Sequence, residues 1–380
     1  MDFSLTDEQQ DFVAAIREFC SRECGTPDQR ERLTDGYSEH HNFEIYGKMA
    51  ELGWLGVAIE EAYGGSGGGM LEACLFMEET ARGLAPISAY ATTLIVAGAT
   101  QRFGSEEQKA EILGGIATGS VEAIAMTEPE AGSDVGAMSC RATRIDGGFV
   151  LDGQKVFCSN AHLSDHVLVV CRTTPGGGKH EGMTMIWVTA GAEGMEVVPI
   201  ETMGGRETNH LYFTECEVPD SAVLGAVDQA WTQLMAGLNV ERLILAATNL
   251  GIGQRALDDT LAYVKERRQF GRPIGSFQAL QHRIADIATD LQAARLMTYW
   301  VATLIDEDPD RMLPQQASMV KLFVTEAVKR ATLEGMQLMG GYGYSSEYDM
   351  ERLVRSSLAA TIYGGTSEIQ RNIVAKTLGL

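Results

Sequence analysis

The sequence predicts an α+β multidomain protein in three consecutive parts: an N-terminal helical domain, a central β-barrel or sandwich domain, and a C-terminal four-helix bundle. Three observations predict it. Apolar residues recur with a helical period through residues 7–119. Between 121 and 224 that period gives way to short β-prone runs separated by turn signals, and from about residue 229 it returns and holds nearly to the end. The boundaries drawn this way are 1–120, 121–226 and 227–380, and 380 residues with 45% apolar composition are enough for full cores in each part.

The first helix is expected to open at Asp7 and Glu8, with Thr6 as its N-cap. Further helices follow from the spacing of Phe43, Ile45, Tyr46, Met49 and Leu52, of Met70, Ala73, Leu75, Phe76 and Met77, and of Ile95 and Val96. The glycine run Gly64, Gly65, Gly67, Gly68 and Gly69 precedes a helix as a phosphate-cradling loop would. It lacks the Lys-Ser/Thr ending and a preceding strand, so it is expected to be an interhelical loop. In the central part, Asp146-Gly147 and Asp152-Gly153 are turn signals, and strands are expected at 167–171, 183–188, 195–200 and 210–214. Residues 174–179 read as a hairpin tip.

The C-terminal part is expected to hold helical segments at 234–253, 254–266, 277–306 and 315–340, with Pro309 and Pro314 bracketing a loop. In residues 234–253 apolar side chains fall on every side of a 3.6-residue period, which predicts a helix buried all round. Only Glu241 and Arg242 ionise there. Glu241 shares a stripe with Leu234, Leu238, Leu245 and Thr248, and a carboxylate among apolar neighbours is costly unless it is paired or used.

Lys and Arg number 30 against 52 Asp and Glu, a net charge of −22, with a sequence pI near 4.7. That balance opposes nonspecific binding to nucleic acid or anionic lipid, so neither is expected as a partner. The seven cysteines, at 20, 24, 74, 140, 158, 171 and 216, form no CxxC pair and are expected to be reduced thiols in a cytosol. The N-terminal segment is acidic where a targeting peptide would be basic, and no apolar run approaches the ~18 residues of a spanning helix. A cytoplasmic protein without membrane insertion is expected. His162 and His166 have i, i+4 spacing but no third ligand nearby, so no metal site is expected.

Four blocks carry chemistry. They are Ala125-Met126-Thr127-Glu128-Pro129-Glu130-Ala131-Gly132-Ser133-Asp134, Gly153-Gln154-Lys155-Val156-Phe157-Cys158-Ser159-Asn160, Glu266-Arg267-Arg268-Gln269-Phe270-Gly271, and Tyr363-Gly364-Gly365-Thr366-Ser367-Glu368-Ile369-Gln370-Arg371. In that order, within a helical, β, helical chain, they resemble the acyl-CoA dehydrogenase family over essentially the whole length. The resemblance implies an FAD enzyme of fatty acid β-oxidation chemistry. It would take an α-proton and a β-hydride from an acyl-CoA thioester, giving the trans-2-enoyl-CoA, with hydride passing to flavin N5 and electrons to an electron-transferring flavoprotein.

The same resemblance implies roles residue by residue. Met126 and Thr127 match donors at the pyrimidine side of the flavin, and Ser159 a hydroxyl beside N5. Phe157 stands where the family usually has Trp, as a wall against the ring. Gly132 and Ser133 match a turn that contacts the dinucleotide phosphates, with Ser133 also near substrate. Thr366 and Glu368 match residues near the pyrophosphate and ribose. Arg267, Gln269 and Phe270 resemble a segment that reaches the FAD of a neighbouring subunit, and Gln337, Met339, Gly340 and Gly341 resemble its adenine-side contact, which implies a homotetramer built as a dimer of dimers. Without the family, Phe157 reads as strand core, Gly132 and Ser133 as a turn, and Glu266-Arg267-Arg268 as a solvated helix end.

The sequence departs from the commonest pattern at the base. Many members have Glu as the second residue of a Tyr-Glu-Gly-Thr motif, where this chain has Gly364. A minority, including isovaleryl-CoA and long-chain enzymes, carry the base on the first helix of the C-terminal bundle in a Leu-x-x-Glu-Arg setting, which Leu238-Asn239-Val240-Glu241-Arg242 matches. Glu241 is then the expected general base, with its pKa raised by an apolar pocket. Arg242 and Tyr363 would order the substrate, and the Gly364 N–H would stabilise the thioester oxygen. From the residues alone, Glu241 and Arg242 could equally be a buried ion pair that orders the bundle. Two other functions stay open: a non-catalytic subunit of a heteromeric complex, and an acyl-CoA oxidase using oxygen.

Overall fold

The computed structural model describes residues 4–176 and 178–380. In chain order the helices are α1 (Asp7–Cys24), α2 (Pro27–Leu33), α3 (Phe43–Glu51), α4 (Met70–Arg82), α5 (Ala89–Phe103), α6 (Glu106–Gln108), α7 (Gly114–Thr118), α8 (Ala230–Glu266), α9 (Gln278–Glu307), α10 (Pro314–Met339), α11 (Gly341–Tyr344), α12 (Met350–Ala360) and α13 (Ser367–Thr377). The strands are β1 (Glu122–Ala125), β2 (Arg141–Ile145), β3 (Gly148–Ser159), β4 (His166–Arg172), β5 (Met183–Thr189), β6 (Met195–Thr202), β7 (Gly205–Pro219), β8 (Val223–Leu224), β9 (Arg268–Gln269) and β10 (Arg272–Pro273). The fold is thus an N-terminal helical part, a middle β-sheet part and a C-terminal helical part. Compact packing groups these elements in another way. One unit gathers Met1–Arg30, Gly69–Ala85 and Glu241–Leu380, and a second gathers Glu31–Gly68 and Pro86–Val240.

The second unit is organised by an eight-stranded sheet of order β6-β7-β3-β2-β4-β5-β8, with β1 parallel to β4. Strand β4 shows why it holds. Val167, Val169 and Cys171 enter one apolar cluster with Phe149 and Leu151, and Leu168 and Val170 enter another with Val96, Leu113 and Trp187. Both faces of β4 are buried, so the strand reads as a continuous apolar run. Strand β7 is longer than the expected run at 210–214, because pairing with β3 on one side and β6 on the other carries Thr208 and Asn209 inside the ladder. Gly177, at the tip expected between β4 and β5, lies outside the described residues.

In the first unit, α1 opens as expected. Thr6 Oγ1 accepts from Gln9 N–H at 3.2 Å while the Gln9 side chain accepts from Thr6 N–H at 3.0 Å, a reciprocal cap. The loop expected at Pro309 and Pro314 runs from 308 to 313 and ends where Pro314 opens α10, a position where its missing N–H costs nothing. The segments expected at 234–253 and 254–266 form one helix of 37 residues. Gly251 does not interrupt it, because its lack of a side chain is needed: a Cβ there would lie 2.1 Å from Glu78 O of α4. The helix is not buried all round. Leu243, Ile244, Ala246, Ala247 and Leu250 have no exposure, but Glu241, Leu245 and Thr248 are only half-buried along one face.

Candidate active site

The residues expected to move a proton meet inside the first unit. Glu241 lies on the open face of α8, with Leu245 one turn further on. The loop between α12 and α13 turns through Gly364 and Gly365, at φ +60° and +84°, a region that disfavours side chains. A Cβ built on Gly364 would lie 2.4 Å from Leu245 Cδ1 and 3.7 Å from Glu241 Oε1. Leu245 therefore occupies the space a side chain at 364 would need, and the Glu241 carboxylate reaches the same spot from the helix.

The electrostatics suit a base. Burial raises the Glu241 pKa above its ordinary value, only partly opposed by the charges of Arg242 and Lys321. No hydrogen bond or ion pair to Glu241 occurs among the described residues. Arg242 is buried, and burial lowers its pKa while the charge of Glu241 pulls it up.

The Gly364 loop is clamped by residues that sequence reasoning missed. Lys321 Nζ donates to Ala360 O and Gly365 O, each at 2.9 Å. Gln370 Nε2 donates to Gly364 O at 2.9 Å and Gly365 O at 3.0 Å, and Asn249 Nδ2 to Tyr363 OH at 2.9 Å. The Gly364 N–H makes no hydrogen bond among the described residues. Thr366 is the N-cap of α13, its hydroxyl accepting from Ile369 N–H at 3.3 Å. The missed signal was a lysine inside the apolar stripe of α10, the same kind of misfit that singled out Glu241.

The residues expected at the flavin ring meet in the second unit. The ladder between β3 and β7 slips between Lys155 and Cys158, and inside this bulge Phe157 takes φ +57° and stands 62% exposed. A bulky residue at positive φ is a strained choice, and bulges re-aim side chains. Val156 N–H donates to Thr127 O at 2.9 Å, and Asn209 Nδ2 to Cys158 O at 3.0 Å, fixing the bulge from both sides. Lys155 Nζ, fully buried, donates to Met126 O at 3.0 Å and Glu128 Oε1 at 2.8 Å. Burial alone would raise the Glu128 carboxyl, but Lys155 and the N–H groups of Ser139 and Cys140 outweigh it and hold the pKa low. Met126, Thr127, Phe157 and Ser159 are thereby held together, and Gly132 and Ser133 stand on the exposed turn that follows. The Thr127 and Ser159 hydroxyls have no partner among the described residues. An exposed aromatic ring beside unspent hydroxyls fits a flavin, which needs a wall and polar donors at its edge.

A second pair of distant blocks meets in the first unit. Arg267, Gln269, Met339, Gly340 and Gly341 line a hollow of about 640 Å³, with the Arg267 guanidinium 5.7 Å from the Tyr342 ring. Gln337 lies exposed on the last turn of α10, outside that lining. A guanidinium, an amide and glycine backbone are suitable groups for a phosphate and a purine. Phe270, at the β9–β10 turn, has φ +52° and is 92% exposed. The two histidines are engaged elsewhere, His166 with Glu122 at 3.3 Å and His162 with Asn209 at 3.1 Å. Among the described residues no cluster of His, Cys, Asp or Glu could hold a metal, and no helix is long and apolar enough to cross a membrane.

Comparison with known proteins gives the family. Residues 6–120, 123–216 and 228–379 match the N-terminal, middle and C-terminal domain models of acyl-CoA dehydrogenase. The chain is 35% identical over 378 residues to the mitochondrial isovaleryl-CoA dehydrogenase of Solanum tuberosum, covering 98% of this chain and 90% of that one. A chain of the structure described as the electron transferring flavoprotein of Acidaminococcus fermentans superposes with a TM-score of 0.92 at 33% identity, covering 100% and 99% of the two chains. The FAD complex of PigA superposes with a TM-score of 0.91 at 29% identity, covering 100% of both chains. The chain belongs to the acyl-CoA dehydrogenase family. It is an FAD-dependent oxidoreductase of that family.

Proposed function

We propose that the chain dehydrogenates an acyl-CoA thioester to the trans-2-enoyl-CoA, with Glu241 as the α-proton base and the Gly364 N–H as donor to the thioester oxygen. One observation carries this most directly: the Glu241 carboxylate oxygen lies 3.7 Å from where a side chain at position 364 would begin. Bound FAD supplies the acceptor for the β-hydride. Glu241, ionised, takes the α-proton, and its raised pKa makes it a stronger base than an exposed glutamate. Among the described residues it has no hydrogen bond to break first. As negative charge grows on the thioester oxygen, the Gly364 N–H, without a partner among the described residues, donates to it. Arg242 keeps the charge of the site balanced, and Tyr363 borders the substrate. The cofactor is held by Met126, Thr127, Gly132, Ser133, Phe157 and Ser159, by Thr366 and Glu368, and by Arg267, Gln269, Phe270, Gln337 and Gly341 of a neighbouring subunit in a homotetramer.

Electrons leave to an electron-transferring flavoprotein, a partner supported by the likeness to the Acidaminococcus fermentans structure. The isovaleryl-CoA enzyme among its relatives puts branched short acyl groups first among substrates to try. The test is anaerobic mixing of purified holoprotein with a panel of branched, straight and long acyl-CoAs. One member should bleach the flavin within a turnover. No bleaching with any of them, with FAD bound, would favour a non-catalytic subunit, and rapid oxygen consumption in air would favour an oxidase.

A further inference from the structure

Lys321 lies in the buried stripe of α10 with Ala317, Val320, Val324 and Val328, and has no exposure. Among the described residues no carboxylate comes within ion-pair distance of its ammonium. Its hydrogen bonds go to the carbonyls of Ala360 and Gly365, and Nζ stands 5.9 Å from the Tyr363 ring. Burying a cation without a counter-ion is costly, and closing the loop does not demand one. Gln370, a neutral donor, already bonds the carbonyls of Gly364 and Gly365. The charge itself must therefore serve the site.

We propose that Lys321 is the positioning residue of the proton-transfer site: it fixes the Gly364 N–H beside Glu241 and supplies the positive charge that favours the Glu241 carboxylate. This rests on Glu241 being the base. The charged groups that face Lys321 are Glu241 and Arg242 of α8, Glu326 of its own helix and Glu368 of α13. Burial lowers its pKa to about 8, against the pull of Glu241. Two consequences follow for the pH profile. On the acid side the rate falls as Glu241 gains a proton, at a pH above the ordinary carboxylate range. Above about pH 8 it falls as Lys321 loses one, which removes the charge that favours the Glu241 carboxylate and weakens the two charge-assisted bonds to its carbonyls.

The experiment measures the flavin reduction rate at saturating acyl-CoA against pH for wild type, Lys321→Met and Lys321→Gln, all as FAD-loaded protein. Wild type should show both limbs. In Lys321→Met the basic limb should vanish, the acid limb should move up by about half a pH unit, and the plateau should drop about tenfold or more. The upward direction follows because losing a nearby cation makes the carboxylate harder to form. A residue that only holds the fold would lower the melting temperature and leave both limbs in place, and that result overturns the proposal. If Lys321→Met does not fold, Lys321→Gln, which keeps a donor but no charge, should show the same shifts. A wild-type rate that stays flat through pH 9 overturns the proposal without any variant. Glu241→Gln, run alongside, separates the two ideas: if it still reduces flavin, the base assignment fails, whereas an inactive Glu241→Gln with unshifted Lys321 variants counts against Lys321 alone.

Discussion

At the scale of single residues, position 364 and residue 241 are alternatives for one place. Because Leu245 fills the room beside Gly364 and the backbone there has φ +60°, moving the base is not a simple exchange. Glu241→Ala with Gly364→Glu should stay as inactive as Glu241→Ala alone, and activity should return only when Leu245→Ala is added; steady-state kcat for the three variants checks this. Glu241 also has a stability signature. Its folded pKa is above the ordinary value of 4.5, so its contribution is intact below that value and is lost as pH rises through the raised one. Glu241→Gln should therefore melt higher than wild type at neutral pH, with the difference closing toward pH 4.

Glu241 was legible because a carboxylate in an apolar stripe violates a local rule, and family resemblance supplied the use expected of it. Gly364 was legible as a missing carboxylate, and the structure adds the physical reason, a contact with Leu245 that no single sequence displays. Lys321 and Asn249 were passed over because each acts on a loop far away in the chain, and helical periodicity says nothing about which residue meets which loop; Gln370 is near in sequence, but nothing in its spacing shows that its amide turns back onto the Gly364 and Gly365 carbonyls.

At the scale of elements, the strongest local constraint is the bulge in β3. Its sequence looked like ordinary strand, with Phe157 as core, because a register slip of one residue changes which face a side chain takes and leaves no mark in composition. The buried pair Lys155–Glu128 ties this bulge to the stretch that follows β1. Removing one member leaves the other charge buried, so Lys155→Met should cost about 3–5 kcal/mol and weaken FAD retention. Lys155→Met with Glu128→Gln should recover part of that loss, which thermal melts of the three proteins would show. Helix α8 illustrates the opposite case. Its apolar content predicted a helix correctly, but the open face at Glu241, Leu245 and Thr248 depends on what packs nearby.

At the scale of the whole molecule, the three-part order of helices, strands and helices was readable from periodicity alone. The grouping of α1 and α4 with the C-terminal helices was not, since compact units need not be contiguous in sequence. An acidic chain of net charge −22 that binds a dinucleotide must place its cations locally, and Arg267, which lines the hollow with Gly340 and Gly341, is the one we propose for that role. Arg267→Ala should lower FAD content on purification and leave the melting temperature of the apoprotein unchanged. If the hollow serves a neighbouring subunit, mixing Arg267→Ala with a ring-face variant such as Phe157→Ala should restore FAD binding in part of the mixed oligomers.

The most direct test of Glu241 as the base is a single-turnover measurement. Glu241→Gln, carrying a full complement of FAD, is mixed anaerobically with the acyl-CoA that bleaches wild type fastest. Bleaching should slow by about 10²–10⁴-fold while acyl-CoA still binds, the cost of removing a positioned general base. Bleaching at the wild-type rate would contradict it.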